Sequence, residues 1–383
     1  MRTGRSCEQP IQQELHFFQR SFSRQLDSAA VELKHLANAK AGEGWILRPL
    51  QERPPVRMKY RQAGDAGPLL PVVSLGLWQR FGEDGDPLTQ RAIIRGALEL
   101  GVNHFDLANN YGPPPGGAEI RFGKVLQSDL KRQRDSIIIS TKAGYPMWPG
   151  PHGAGGTRKH LLASLDQSLG RMGLDYVDIF YSHRRDMDTP LEETMSALAL
   201  AVRQGKARHA GISSYNVADT HTCIQIARRL NMPTLIHQPS YSIVNRWIEE
   251  DGLLDALGKE RVGCVSFAPM AQGLLSNRYL QGISRDSRAA LGKHPKPKVI
   301  TVDFLDRLSL LQALADRRGQ TLAQLSISWA LKDQRVTSTA IGVSSVAQLR
   351  ENVDAINSVQ FTTGDLSEID DLFLDWQMNM WRP

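Results

Sequence analysis

HFDLANNYG at residues 104–112, IIISTKAG at 137–144 and VDIFYSH at 177–183 are the three stretches on which the fold turns. Each opens as a short apolar, β-branched or aromatic run, the pattern of a strand buried on both faces. Each then presents polar groups at its end: Asp106 and Tyr111, Lys142, and His183. Helix-like segments separate the runs, and strand–helix–strand alternation makes the strands parallel. Three neighbouring strand ends would therefore deliver Asp, Tyr, Lys and His into one small volume. The C-terminal mouth of a (β/α)₈ barrel is such a place.

Five further runs complete the count: SLGLW (74–78), ARHAGIS (207–213), LIHQPSY (235–241), VGCVSF (262–267) and STAIGV (338–343). Between them lie stretches such as 157–172, where Leu161, Leu165, Leu169 and Met172 repeat at helical spacing. Thr157 suits its N-cap and Gly173 its end. A hairpin over roughly 59–72, with Gly64 and Gly67 near its turn, precedes the first barrel strand. A doubly wound sheet is the alternative, but no G-x-G-x-x-G turn follows an early strand. The reading is a (β/α)₈ TIM barrel over 58–383 with an N-terminal hairpin.

Residues 1–57 differ from the rest. Arg2, Arg5, Arg20 and Arg24 resemble a transit segment, yet Glu8, Glu14, Asp27 and Glu32 spoil its acid-poor character, and no apolar signal core is present. The stretch reads as a poorly ordered extension or a misplaced start, with a targeting or regulatory arm as the alternative. It holds nine Lys/Arg and six Asp/Glu, so it carries +3 of the chain's net +6. A body with so small an excess is not a nucleic-acid binder by charge. No apolar run reaches the ~20 residues that span a bilayer. Cys7, Cys223 and Cys264 are far apart and form no CxxC, which suits a reducing compartment, the cytoplasm, and neither a disulfide framework nor a zinc site.

The four polar residues suggest a chemistry. A Lys ammonium beside a Tyr favours the phenolate and lowers the phenol pKa, so Tyr111 becomes a proton donor to a developing alkoxide. Asp106 is the natural counter-ion for Lys142, and His183 can hydrogen-bond the substrate oxygen. The set has no activated nucleophile, and protonating a carbonyl oxygen requires hydride from elsewhere, hence a nicotinamide cofactor. A metal hydrolase on a barrel is another reading: His104, His183, His209 and His237 fall near strands, but His104 and Asp106 alone do not make a metal site with open coordination.

HFDLANNYGPPPGGAE, IISTKAGYPMWPGP, RMGLDYVDIFYSHR, GKARHAGISSYN, LIHQPSYS and IGVSSVAQLREN together resemble the aldo-keto reductases. The resemblance covers about Tyr60 to Asn357. It is closest to the branch that holds bacterial L-glyceraldehyde 3-phosphate reductases and voltage-gated potassium channel β subunits. It implies Asp106, Tyr111, Lys142 and His183 as the catalytic set. It further implies NADPH, with Ser213, Ser214 and Gln238 on the nicotinamide carboxamide and Phe267 stacked on its ring. Gly342, Ser344 and Gln348 would approach the 2′-phosphate, Glu351 and Asn352 the adenine, and Arg278 and Arg288 the phosphates, the latter from a 281–300 loop that closes over the cofactor. Trp78 and Trp148 would wall the substrate pocket, and Arg184 could meet a substrate phosphate. Implied substrates are small aldehydes, L-glyceraldehyde 3-phosphate and methylglyoxal, and the branch implies a homo-oligomer. The competing expectation is an NADPH-binding, redox-sensing β-type subunit that regulates a membrane partner.

Overall fold

The computed structural model describes residues 57–232, 235–280, 290 and 297–376. The extension at 1–57, apart from its last residue, and the Arg288 expectation lie outside the described residues. Two short antiparallel strands, β1 (Tyr60–Gln62) and β2 (Leu69–Pro71), form the hairpin read from sequence, with Tyr60 opposite Pro71. Eight parallel strands then close on themselves: β3 (Val73–Gly76), β4 (His104–Asp106), β5 (Ile138–Ala143), β6 (Val177–Ser182), β7 (Ala207–Ser213), β8 (Leu235–Gln238), β9 (Gly263–Phe267) and β10 (Val336–Ile341). Each of the eight expected runs is a strand, and β10 pairs with both β9 and β3 to shut the barrel.

Strands buried on both faces are mostly apolar, and β6 has no exposed position, its buried Asp178 pairing with Arg134 and accepting from the Ile139 N–H. Helices follow the strands: α1 (Pro87–Glu99), α2 (Gly117–Val125), α3 (Arg158–Met172), α4 (Leu191–Arg203), α5 (Val217–Arg229), α6 (Leu253–Glu260), α7 (Val302–Arg317), α8 (Leu322–Ala330), α9 (Val346–Asp354) and α10 (Thr363–Phe373). The α3 helix begins where the sequence says it should. The Thr157 side chain accepts from the His160 N–H, and Gly173 ends the helix at φ 66°.

The hairpin plugs the strand-start end. Ala63 and Leu70, fully buried, join Ile179, Tyr181, Ile236 and Val265 in a small cluster inside the barrel. The approach is so close that a Cβ on Gly263 would lie 2.8 Å from the Ala63 Cβ. Arg61 donates to the carbonyls of Leu331 and Asp333, fastening the hairpin to the segment before β10. Among the described residues no helix is long and apolar enough to cross a membrane.

Candidate active site

Asp106 is the last residue of β4, and Lys142 lies within β5 rather than beyond its end. Both side chains face the barrel interior, where Lys142 is fully buried and Asp106 is 3% exposed. A lysine survives there only with a partner. Its Nζ donates to Asp106 Oδ2 at 2.7 Å and to the Leu107 carbonyl at 2.7 Å. Asp106 Oδ1 accepts from Ser140 Oγ at 2.6 Å and from Gln238 Nε2 at 3.1 Å.

Tyr111 is brought in by the segment after β4, which keeps pairing with β5. The Leu107 N–H donates to the Ser140 carbonyl, and the Asn109 N–H to that of Lys142, each at 2.9 Å. The half-buried phenol then sits with its oxygen 3.4 Å from Lys142 Nζ. His183 follows β6, its N–H donating to the Ala143 carbonyl at 2.9 Å. Its ring meets that of Tyr111 edge-on at 5.7 Å between centroids. The four residues expected to act together are together.

One electrostatic expectation is reversed. The lysine was expected to pull the phenol pKa down, but burial raises it well above its ordinary value, and Asp106 and then Tyr145 add to the rise. The physical reason is that Lys142 is already paired with Asp106, so little positive field is left to offset desolvation. Burial pushes Lys142 down while Asp106 holds it up. Burial raises the Asp106 carboxyl, yet Lys142 and His104 outweigh it and leave the group below its usual range. His183 is driven well below its usual value by burial and by Lys142, which makes it a neutral ring. The site thus holds a protonated phenol, a neutral imidazole and a closed ion pair.

The outer positions divide. Trp78 is 43% exposed and its ring lies 6.3 Å from that of Tyr111. Trp148 packs against His160 at 4.9 Å, and His160 Nδ1 lies 3.1 Å from the His152 carbonyl. Arg184 is exposed, donates from Nε to the Gly144 carbonyl at 3.3 Å, and places its guanidinium carbon 4.9 Å from the Tyr145 ring centroid. Tyr145 in turn stands edge-on to His183 at 4.7 Å. Tyr145 was not read from the sequence as a site residue. The available signal was its position three residues after Lys142, just past β5.

Ser213 spends its hydroxyl on the Gln238 carbonyl at 2.8 Å, and Ser214 follows in the left-handed region at φ 58°. Gln238, expected at a carboxamide, also belongs to the Asp106 network. Phe267 ends β9, half-buried, before the left-handed Ala268. Arg278 is exposed in the short turn Asn277–Tyr279. Gly342 lies just past β10, where an added Cβ would meet nothing within 4 Å. Ser344 donates from both N and Oγ to Gln348 Oε1, and Ser345 caps the α9 N-terminus. Glu351 is exposed. Asn352 is fully buried, its amide oxygen without a partner among the described residues. Asn109, also fully buried, has neither side-chain amide atom hydrogen-bonded. Open space before a helix N-terminus suits a phosphate, and an orphaned buried amide suits a ligand that hydrogen-bonds it.

The histidines do not converge. His104 lies between Ser74 and Ser140, and His237 Nε2 is 3.2 Å from the Tyr215 carbonyl. Among the described residues no group of three His, Cys, Asp or Glu could hold a metal ion. The surface clefts beside Glu260 and Arg261 and beside Arg91 and Arg95 contain none of the four clustered residues.

Comparison with known proteins bears on this arrangement. The family model of the aldo/keto reductase family matches residues 72–373. The L-glyceraldehyde 3-phosphate reductase of Escherichia coli (strain K12) is 54% identical over 342 residues, 88% of this chain and 98% of that protein. A probable voltage-gated potassium channel subunit beta of Arabidopsis thaliana is 33% identical over 312 residues, 80% of this chain and 93% of that one. Among solved structures, an aldo-keto reductase from Bacillus halodurans in its holo form superposes with a TM-score of 0.67 at 26% identity, covering 85% of this chain and all of that one.

Proposed function

Because the chain belongs to the aldo/keto reductase family, and is therefore an oxidoreductase, we propose that it reduces small aldehydes with NADPH, L-glyceraldehyde 3-phosphate and methylglyoxal among them. The observation that carries the reading is the Asp106–Lys142–Tyr111 line with His183 edge-on to the phenol. When bound, the nicotinamide supplies the hydride that no side chain carries.

Tyr111 donates its proton to the carbonyl oxygen as negative charge develops there. Its raised pKa keeps it protonated at neutral pH. Lys142, 3.4 Å away, stabilises the phenolate that remains, and Asp106 holds Lys142 in place. The neutral His183 donates one N–H to the same oxygen and orients the carbonyl. Trp78, after the first barrel strand, and Trp148, in the third strand–helix loop, would wall the substrate side.

Ser213, Ser214 and Gln238 would hold the nicotinamide carboxamide and Phe267 would cover its ring. Ser344, Gln348 and Arg278 would receive the phosphates near the open space at Gly342, and Glu351 with the unpartnered Asn352 amide oxygen would meet the adenine. Arg184 is the group for a substrate phosphate. Its guanidinium is braced on Tyr145, which abuts His183, so it stands one small-molecule length from the reacting end. Guanidinium forks suit phosphate oxygens.

The likeness to a channel β subunit supports a second reading, an NADPH-binding sensor with little turnover. NADPH oxidation by the purified chain, offered L-glyceraldehyde 3-phosphate and then methylglyoxal with NADH in parallel, tests both. Rapid turnover with NADPH is expected. Tight NADPH binding without turnover on either aldehyde would favour the sensor.

A further inference from the structure

His104 is a buried titratable group that the mechanism above leaves unused. It sits two residues before Asp106 on the same interior face of β4, as Ser140 does before Lys142 on β5. A continuous hydrogen-bonded chain runs through it. Ser338 Oγ lies 2.6 Å from the Pro71 carbonyl and 2.6 Å from Ser74 Oγ. Ser74 Oγ lies 2.7 Å from His104 Nδ1, His104 Nε2 lies 3.0 Å from Ser140 Oγ, and Ser140 Oγ lies 2.6 Å from Asp106 Oδ1. Ser74, His104, Ser140 and Ser338 are all fully buried.

The protons can be counted. The chain has five links, and both ends, a carbonyl and a carboxylate, only accept. Three hydroxyls and a neutral imidazole bring four protons, so one link is always short of a donor. One more proton satisfies all five links. It can sit on His104, every hydroxyl then pointing outward from the ring, or on Asp106, every hydroxyl then pointing toward Pro71. Burial holds the imidazole down to about 4, so near neutrality the ring is neutral and the shortage stands. With Ser140 donating to Asp106, His104 Nε2–H must serve Ser140, so the donorless link lies between the ring and Pro71, where the Ser74 and Ser338 hydroxyls can reorient without breaking the framework.

We propose that Ser338, Ser74, His104 and Ser140 form a buried proton-holding chain that ends on Asp106, with His104 a positioning residue for proton donation by Tyr111. As Tyr111 gives up its proton, Lys142 is drawn toward the phenolate and its hold on Asp106 weakens. The Ser140 hydroxyl, which already donates to Asp106 Oδ1 and is itself backed by His104 Nε2–H, then tightens on the carboxylate and carries more of its charge. No proton is consumed in this response; the links at Asp106 tighten around protons already on them, and the Ser74 and Ser338 hydroxyls reorient about the donorless link. The inference rests on Tyr111 as the proton donor, and a Tyr111→Phe protein that kept full turnover would remove that reading first.

The test uses single-turnover NADPH oxidation by the full chain in mixtures of light and heavy water, with methylglyoxal as substrate. Wild type should give a curved dependence of rate on deuterium fraction, because several protons shift together. His104→Leu should slow the step about tenfold, leave the substrate concentration for half-saturation unchanged and make the dependence linear. His104→Gln, which keeps one donor and one acceptor, should recover most of the rate and the curvature. Ser338→Ala, at the far end, should flatten the curvature even if His104→Leu does not fold. A linear dependence in wild type, or His104→Leu at the wild-type rate, would overturn the proposal. So would His104→Gln no better than His104→Leu, or unchanged curvature in Ser338→Ala.

Discussion

Removing Lys142 should separate its electrostatic role from its chemical one. In Lys142→Met the Asp106 carboxylate stays almost fully buried, with only Ser140 Oγ and Gln238 Nε2 as donors. Stranding one partner of a buried ion pair costs about 3–5 kcal/mol. A penalty of that size raises the Asp106 carboxyl above its usual range in the folded variant, because burial is no longer offset by the Lys142 charge. The sign follows. In wild type the Asp106 pKa is held below its usual value, so its contribution is present at neutral pH and lost as pH falls through the folded pKa. In the variant the folded pKa is raised, so the penalty is full at high pH and fades as pH falls toward about 4. Urea denaturation of both proteins should therefore give a gap of about 3–5 kcal/mol at pH 8 that narrows steadily by about pH 5. Lys142→Met/Asp106→Asn should recover at least about 2 kcal/mol of the loss at pH 8 while turnover stays low. A gap below about 1 kcal/mol, a gap independent of pH, or a double variant no better than the single would refute the buried-pair account.

Turnover by wild type should be flat between about pH 6 and 9 as far as His183 and Tyr111 are concerned, because burial moves one below and the other above that window; an inflection near 6.5 that vanishes in His183→Asn would contradict this. Arg184→Met should lower kcat/KM about 10–100-fold for L-glyceraldehyde 3-phosphate and leave methylglyoxal unchanged; equal losses on both would remove Arg184 from phosphate recognition. Gly211→Ala should destabilise the chain by about 1–3 kcal/mol, since the added Cβ would run into the buried Tyr181 ring; a thermal midpoint within a degree of wild type would contradict that packing.

The barrel was legible because its strands are buried and its helices are punctuated. The run VDIFYS is short and rich in β-branched and aromatic residues, as a buried strand is, and Thr157 and Gly173 bracket α3 by their capping chemistry. The cluster was legible because Asp106, Tyr111, Lys142 and His183 all attach to consecutive strand ends. What was not legible depends on closure and burial. Ser338 reaches Ser74 across 264 residues of chain only because β10 pairs with β3. The orphaned Asn109 amide and Asn352 amide oxygen have no local sequence signature, since each is defined by what fails to surround it. The sense of the Tyr111 pKa was missed because neighbouring charge can be read from a motif, whereas desolvation requires the folded interior.

The central claim is that Tyr111 is the proton donor, and Tyr111→Phe tests it most directly. Its phenol oxygen bonds Lys142 at 3.4 Å, outside the ladder that holds the barrel, so the fold should persist without it. Turnover and NADPH affinity, measured side by side, should show kcat lower by about 10²–10⁴-fold with NADPH binding within twofold of wild type. A variant that keeps wild-type kcat, or loses NADPH binding together with turnover, would contradict the account.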